Sequence, residues 1–169
     1  MVLPGIDNVH EREQARDELP QSAAGRTIMT TEPKFIPKEA VSVHISDDIQ
    51  VKIRLIDCVG FMVDGASGHM EDDKDRMVKT PWYEDPIPFT KAAHIGTQKV
   101  IRDHSTIGLV ITTDGSFGEI AGESFAAAEE MAVGELKQIG KPFIVVVNTT
   151  RPYAMETQEL CRRKEEKYE

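Results

Sequence analysis

Residues 142–147 read PFIVVV, an almost uninterrupted apolar run. A short run of this kind, rich in β-branched residues, predicts a strand that is buried on both faces of a parallel sheet. A second apolar run, IGLVI, occupies residues 107–111. Residues 119–139 between the two runs favour a helix that Gly140 closes. A strand, a helix and a strand in this order predict a parallel pair with a right-handed crossover connection.

Upstream of this unit, two further segments have the pattern of strands. Residues 40–45 (AVSVHI) and 51–56 (VKIRLI) alternate apolar and polar side chains, so each predicts a strand with one wetter face. The pair Asp47–Asp48 supplies a short turn between them. The two strands are therefore predicted to form a hairpin.

The remaining elements complete an α/β pattern. Thr90 can cap a helix that runs to about His104, and a charged helix is expected from Glu156 onward. Residues 60–88 contain acidic residues and three prolines without clear periodicity, and they are predicted to form a long loop. In α/β sheets, ligands bind beyond the carboxyl ends of the strands. We therefore look for functional residues just after Ile56, Ile111 and Val147.

Composition excludes several classes of protein. The 169 residues, with 40% hydrophobic and 29% charged side chains, are typical of about one ordinary globular domain. A net charge of −9 disfavours nucleic acid as a partner, because phosphates would be repelled. Two cysteines do not make a disulfide framework, and reduced intracellular thiols are expected. No apolar run is long enough for a transmembrane segment, and the first residues do not resemble a signal peptide.

The second predicted strand ends in Asp57-Cys58-Val59-Gly60, a D-x-x-G pattern. In P-loop nucleotide hydrolases the Asp holds Mg²⁺, usually through a water, and the Gly lets a backbone N–H approach the γ-phosphate. A strand that simply ends in a turn would also use Asp and Gly, so the pattern alone leaves both interpretations open.

A loop over residues 21–33 precedes the hairpin and contains Thr30 and Thr31. In nucleotide hydrolases a threonine at this place closes over Mg²⁺ and the γ-phosphate and is released on hydrolysis. A polar loop whose threonines bond only to their own backbone is the alternative. The order of loop, hairpin and Asp57 agrees with the switch interpretation.

The segment 148–152 follows the last apolar strand and begins Asn148-Thr149. Guanine-specific hydrolases have Asn-Lys-x-Asp here, whereas this sequence has Thr149 and Arg151 in place of the Lys and the Asp. Because Arg151 cannot accept a hydrogen bond, guanine selectivity is unsupported and adenine becomes plausible. Asp114-Gly115, after the middle strand, could also approach a nucleotide, although a turn explains it equally well.

The phosphate-binding pattern G-x-x-x-x-G-K-[ST] does not occur in the sequence. The pair Gly140-Lys141 precedes a strand instead of following one, which is typical of a helix cap. If the nucleotide interpretation holds, a first strand and its phosphate loop lie before Met1, and a closing strand follows the last helix. We therefore expect this chain alone not to bind ATP tightly.

Five strings closely resemble the stage IV sporulation protein A family, namely ELPQSAAGRTIMTTEPKF, RLIDCVGF, TPWYEDPIPF, HSTIGLVITTDGS and GKPFIVVVNTTRPY. The resemblance runs over essentially all 169 residues. It implies part of an N-terminal ATPase domain from a morphogenetic protein of endospore-forming bacteria. The implied fold is α/β, a P-loop NTPase-like (TRAFAC GTPase-like) three-layer sandwich with a mixed, mostly parallel sheet, here incomplete at both ends.

The resemblance also implies activity, cofactors and partners. The family hydrolyses ATP with Mg²⁺ and polymerises into the basal layer of the spore coat. Its location is the mother-cell cytoplasm, peripheral on the outer forespore membrane, with coat proteins and a small membrane-anchoring peptide as partners. Its switch threonines fall on Thr30 and Thr31, and its Mg²⁺-site aspartate falls on Asp57. Gly60, Asn148 and Thr149 complete the expected nucleotide contacts.

Two other functions remain open on the sequence. A non-enzymatic scaffold would use this segment only for self-association. A GTP-dependent switch is the third class, and Thr149 and Arg151 disfavour it.

Overall fold

The computed structural model describes residues 33–169. The described residues divide into two compact parts, residues 33–58 and residues 59–169. No helix in the described range is both long enough and apolar enough to cross a membrane.

The first part is an antiparallel hairpin of β1 (Lys34–Ser46) and β2 (Ile49–Asp57), as predicted. Val41 lies opposite Ile53, and Val43 lies opposite Val51. These four side chains, together with Ile36, form one apolar cluster. The alternation seen in the sequence therefore places one face of each strand in a common core.

The hairpin is longer than the sequence predicted. Strand β1 begins at Lys34 instead of residue 40, because pairing resumes beyond an irregularity between Ile36 and Val41. Pro37, which follows a cis peptide bond, lies in this irregular stretch. A proline is tolerated in a sheet at such a bulge. The extension pairs Lys34 with Asp57 at the end of β2.

The second part begins with two small hairpins. Strands β3 (Met70–Glu71) and β4 (Lys74–Asp75) form the first, and β5 (Met77–Thr80) and β6 (Tyr83–Pro88) form the second. The prediction of a long irregular loop over 60–88 is therefore corrected for residues 70–88. Asp72 and Asp73 have φ values of 49° and 58° and make the turn of the first hairpin.

Three helices lie in the second part. Helix α1 (Phe89–Lys99) continues into a π-helical turn (Val100–His104), so the predicted helix end is confirmed. It begins directly after Pro88 without a side-chain cap, so the expected Thr90 cap is wrong. Helix α2 (Ala126–Gln138) follows a 3₁₀ turn (Gly122–Phe125) and starts later than predicted. Helix α3 (Met155–Tyr168) is the expected charged helix.

The parallel pair predicted from PFIVVV is confirmed. Strand β7 (Gly108–Thr113) pairs in parallel with β8 (Phe143–Asn148), and α2 connects them. Their inner face packs in a core with the helices. The core contains Phe61, Ile101, Val110, Val133 and Leu136, against which Phe143 and Val145 pack.

The expectation that the last strand is buried on both faces is wrong for the described residues. Leu109, Ile111 and Ile144, on the outer face of the pair, are 56–59% exposed. The helices of the described part cover only the opposite face. The described strands form four two-stranded sheets, so a continuous three-layer sandwich is not present in residues 33–169.

A buried ion pair joins α2 to α3. Glu129 is 4% exposed, and both its carboxylate oxygens accept hydrogen bonds from Lys164 Nζ, at 2.8 and 2.6 Å. The Tyr168 hydroxyl donates to the same carboxylate at 2.6 Å. Burial alone would raise the pKa of Glu129, but the donors, Lys164 foremost, outweigh it and lower the pKa. Burial, with the Glu129 carboxylate, raises the pKa of Tyr168 to about 12.

Candidate functional site

The carboxyl ends of β7 and β8 lie side by side. Thr113, the last residue of β7, is in register with Asn148, the last residue of β8. The loops that begin at Asp114 and Thr149 therefore start at the same edge of the parallel pair. In α/β proteins this is the edge at which ligands bind.

Asp114 holds these two loops together. Its Oδ2 accepts a hydrogen bond from Thr149 Oγ1 at 2.6 Å. Its Oδ1 accepts two more from Ser116, one from the backbone N–H at 2.9 Å and one from Oγ at 2.5 Å. We call Asp114, Ser116 and Thr149 the strand-end cluster.

The two hydroxyls of the strand-end cluster also accept backbone hydrogen bonds. Ser116 Oγ accepts from the N–H of Thr150 at 3.0 Å, and Thr149 Oγ1 accepts from the N–H of Arg151 at 3.0 Å. Each hydroxyl has one proton, and both protons go to the carboxylate. The cluster is therefore a connected network that fixes the first residues of the segment 148–152.

The carboxylate of Asp114 is strongly stabilised in its charged form. The hydrogen bond from the Ser116 side chain, followed by that from Thr149, lowers the pKa of Asp114 to about 2. Charge-assisted hydrogen bonds of this type are among the stronger ones in proteins. At neutral pH the cluster consequently carries a full negative charge.

The backbone that presents Asp114 is held closely by a neighbouring segment. Gly115 has a φ of +81°, and a Cβ at this position would lie 2.6 Å from the Gly122 backbone nitrogen. A Cβ at Gly122 would lie 2.7 Å from the carbonyl carbon of Asp114. Two glycines at this contact therefore permit an approach that no other residue allows.

Asp57 ends strand β2 and has a different environment. Partial burial raises the pKa of this carboxyl, while the ammonium of Lys34 and a backbone hydrogen bond from Cys58 act in the opposite direction. The side chain keeps an exposed surface. A carboxylate that is accessible at a strand end fits the preferences of Mg²⁺, which takes one or two carboxylates together with substrate phosphates.

The other predicted site residues fall in different places. Gly60, the last residue of D-x-x-G, has a φ of +80°, a conformation that favours glycine. Asn148 is exposed at the end of β8, and Thr149 belongs to the strand-end cluster. Thr30 and Thr31 lie outside the described residues.

Sequence reasoning did not find Ser116 and left the role of Asp114 open between a nucleotide contact and a turn. The spacing Asp-x-Ser is typical of a local side-chain turn and could have indicated the contact between these two residues. The bond from Asp114 to Thr149 spans 35 positions and follows only from the parallel pairing of β7 and β8.

The pair Gly140-Lys141 is a helix cap, as predicted. The N–H of Gly140 donates to Lys137 O and that of Lys141 donates to Leu136 O, the two bonds of a Schellman motif at the end of α2. The Lys141 ammonium also caps the preceding helix. It donates to the carbonyl oxygens of Ile101, Arg102 and Ser105. The hydrogen-bond donors of the Lys141 ammonium therefore stabilise the fold.

A family model described as "Stage IV sporulation protein A, ATPase domain" matches residues 1–169. The chain is 58% identical to stage IV sporulation protein A of Bacillus subtilis (strain 168), 56% identical to that of Bacillus anthracis and 51% identical to that of Clostridioides difficile (strain 630).

Each of these alignments includes the whole chain and 34% of the relative, so the chain spans about a third of the length of these relatives. No solved structure matches the chain significantly. The family match extends over every residue, and three relatives are more than half identical. The chain therefore belongs to the stage IV sporulation protein A family, to the part that corresponds to its ATPase domain.

Proposed function

We propose that this chain is part of a domain that binds and hydrolyses ATP in a protein of sporulation. The family match over residues 1–169 is the observation that carries the proposal. The geometry supports it with an accessible carboxylate after β2 and an ordered polar cluster after β7 and β8. These are the strand ends at which nucleotide hydrolases hold their ligand.

Each candidate residue has a role in this proposal. Asp57 orients Mg²⁺, and Thr30 and Thr31 respond to the γ-phosphate. Gly60 offers a backbone N–H to the same phosphate, and Asn148 and Thr149 face the base. A bound Mg²⁺ would supply charge neutralisation, and these residues would act by positioning and electrostatics without forming covalent bonds.

The fold of the intact domain can also be proposed. We infer that the intact domain is a P-loop NTPase-like (TRAFAC GTPase-like) three-layer sandwich with a mixed, mostly parallel sheet. The exposed outer face of β7 and β8 at Leu109, Ile111 and Ile144 supports a further layer over this pair, because both faces of parallel sheets are ordinarily covered.

The direct test uses the full-length protein and a double Thr30→Ala, Thr31→Ala variant. We expect the variant to lose ATP turnover while its affinity for ATP stays within about threefold of wild type, because these side chains act on the γ-phosphate during hydrolysis. A Thr27→Ala variant in the same loop is the matched control and should retain turnover. Unchanged hydrolysis in the double variant would remove the role given to these threonines.

The chain alone provides a second test. A calorimetric titration of the 169-residue chain with ATP and Mg²⁺ should show no tight binding. The phosphate-binding pattern does not occur in this sequence, and the lysine of its Gly-Lys pair is engaged by three carbonyl oxygens. A micromolar affinity would contradict this part of the proposal.

The assembly of the intact protein is proposed on the same basis. We expect ATP-dependent polymerisation into the basal layer of the spore coat, on the mother-cell side of the outer forespore membrane. Coat proteins and a small membrane-anchoring peptide would be the partners. Sedimentation of the full-length protein with and without ATP tests the self-association. Pelleting that is independent of ATP would favour the non-enzymatic scaffold, and GTP outcompeting ATP would favour the switch.

A further inference from the structure

We propose that Asp114 is a positioning residue that holds segment 148–152 in the arrangement required for contact with the purine base of ATP. The inference rests on the proposed function, because it assigns a specific device to the base side of the same site. Asp114 would act through Thr149 and Ser116 and would not itself contact the nucleotide.

The geometry gives Asp114 this role because it bridges two loops. Thr149 Oγ1 donates to Oδ2 at 2.6 Å from the loop after β8, and Ser116 Oγ donates to Oδ1 at 2.5 Å from the loop after β7. Ser116 Oγ in turn accepts from the N–H of Thr150 at 3.0 Å. Removal of the carboxylate would therefore take the common acceptor from both hydroxyls and release the backbone at residues 149–151.

The backbone that carries Asp114 is closely packed. The peptide that follows Asp114 packs against the backbone of Gly122, at a separation that excludes a Cβ on Gly115 or on Gly122. The carboxylate is also fully ionised at neutral pH. Because Asp114 follows β7 on closely packed backbone and binds Thr149, the position of β7 can determine the position of the residues that follow β8. Contacts of this kind keep binding groups in place before the ligand arrives.

The cluster is separate from the predicted chemistry of hydrolysis. Asn148, the exposed residue expected to meet the base, directly precedes Thr149, whereas the expected Mg²⁺ ligand Asp57 follows a different strand. Displacement of segment 148–152 should consequently weaken ATP binding and base selection more than it slows the hydrolysis of bound ATP. This separation distinguishes positioning of the base from a general loss of structure.

The test measures steady-state ATP and GTP hydrolysis by the full-length protein and by Asp114→Ala. We expect the KM for ATP to rise about tenfold, the equivalent of one hydrogen bond to a charged group. The kcat should stay within about twofold, and the preference for ATP over GTP should decline. Asp114→Asn, which keeps one acceptor oxygen, should give an intermediate KM.

Thr149→Val tests the same contact from the other loop and keeps the inference testable if Asp114→Ala does not fold. It should raise the KM in the same direction but by less, and the double variant should be no worse than Asp114→Ala alone, because Asp114→Ala already removes the bond between these two side chains. Glu135→Gln is the matched control. This carboxylate binds Gln98 and Arg102 at the contact of α2 with the preceding helix, so the change should lower Tm without altering the KM.

The outcomes separate the inference from the proposed function. A wild-type protein that neither binds nor hydrolyses ATP overturns both. A wild-type protein that hydrolyses ATP, with variants at Asp114 and Thr149 of unchanged KM and unchanged ATP preference, overturns this inference alone. A fall in kcat equal to that of the double threonine variant would also overturn it, since Asp114 would then act on hydrolysis.

Discussion

Asp57 is the last residue of β2 and Asp114 directly follows β7, and the surroundings of the two carboxyl groups shift their pKa values in opposite directions. Asp57 has a pKa raised by partial burial, with Lys34 across the hairpin as the opposing influence. Asp114, after β7, has a pKa lowered to about 2 by hydroxyl and backbone donors. An added cation would lower the pKa of the first carboxyl group, whereas the second already has its hydrogen-bond donors. The two groups therefore have different electrostatic surroundings, although both lie at strand ends.

The largest expected effect comes from changing Asp57, the first aspartate of this comparison. Asp57→Asn in the full-length protein should reduce the kcat for ATP by about a thousandfold, roughly 4 kcal/mol of barrier, because the neutral amide is a poor ligand for Mg²⁺. The measurement is steady-state hydrolysis over a range of Mg²⁺ concentrations. Asp64→Asn, a nearby change outside the D-x-x-G pattern, is the control. Retention of wild-type turnover in Asp57→Asn would exclude Asp57 from the Mg²⁺ site.

Glu129 is a third carboxylate to compare with the two aspartates, because it is almost completely buried. Lys164→Met should lower the free energy of unfolding by about 3 kcal/mol, since it leaves the charge of Glu129 buried without its cation. Urea denaturation of the wild type and the variant measures this. Arg162→Met is the matched control on the same helix and should have an effect too small to resolve, because its ion pairs are exposed. Equal losses in the two variants would contradict the assignment of a structural role to the buried pair.

The titration of Asp114 tests whether its hydrogen-bond donors lower the pKa of this second aspartate. In the protein labelled with ¹³C-aspartate, the carboxyl carbon of Asp114 should titrate near 2, and Thr149→Val should move its pKa toward the ordinary value of 3.8. Because the folded pKa is depressed, the contribution of this group to stability is present above the unfolded pKa. It is lost as the pH falls from about 4 to about 2. A midpoint near 4 in the wild type would show that the donors do not hold the carboxylate.

The smallest expected effect is the contribution of the Asp57 carboxylate to the thermal stability of the protein. A raised folded pKa means that the ionised form is disfavoured by folding, so this carboxylate reduces stability as the pH rises through its folded pKa. Asp57→Asn should therefore raise Tm slightly at neutral pH. Thermal unfolding at pH 7, with Lys34→Met as the opposite change, measures this. A decrease in Tm for Asp57→Asn would indicate that the carboxylate is stabilised by partners and is not poised for a cation.

Much of the fold could be predicted because its signals are local. The apolar run PFIVVV and the helix before it indicated the parallel pair, and the alternation in residues 40–45 and 51–56 indicated the hairpin. The extension of β1 past Pro37 was not predictable, because a proline argues against a strand unless the bulge is known. The short hairpins in residues 70–88 lack any periodicity that a sequence pattern could show.

Candidate site residues could be named from the sequence only where a single strand end indicated them. The rule that ligands bind beyond the carboxyl ends of strands led to Asp57, Asn148 and Thr149, whose roles stay predictions. The contact of Asp114 with Thr149 depends on the register of two strands, which a single sequence does not specify. The predicted roles of Thr30 and Thr31 lie outside the described residues and stay predictions.

The most direct test of the contrast between the two aspartates is a side-by-side measurement of kcat and KM for ATP in full-length Asp57→Asn and Asp114→Asn. We predict that Asp57→Asn loses kcat, because Mg²⁺ is not oriented, and that Asp114→Asn raises KM while kcat stays close to wild type. Two variants that change the same parameter to the same extent, or a reversal of the two patterns, would contradict the account.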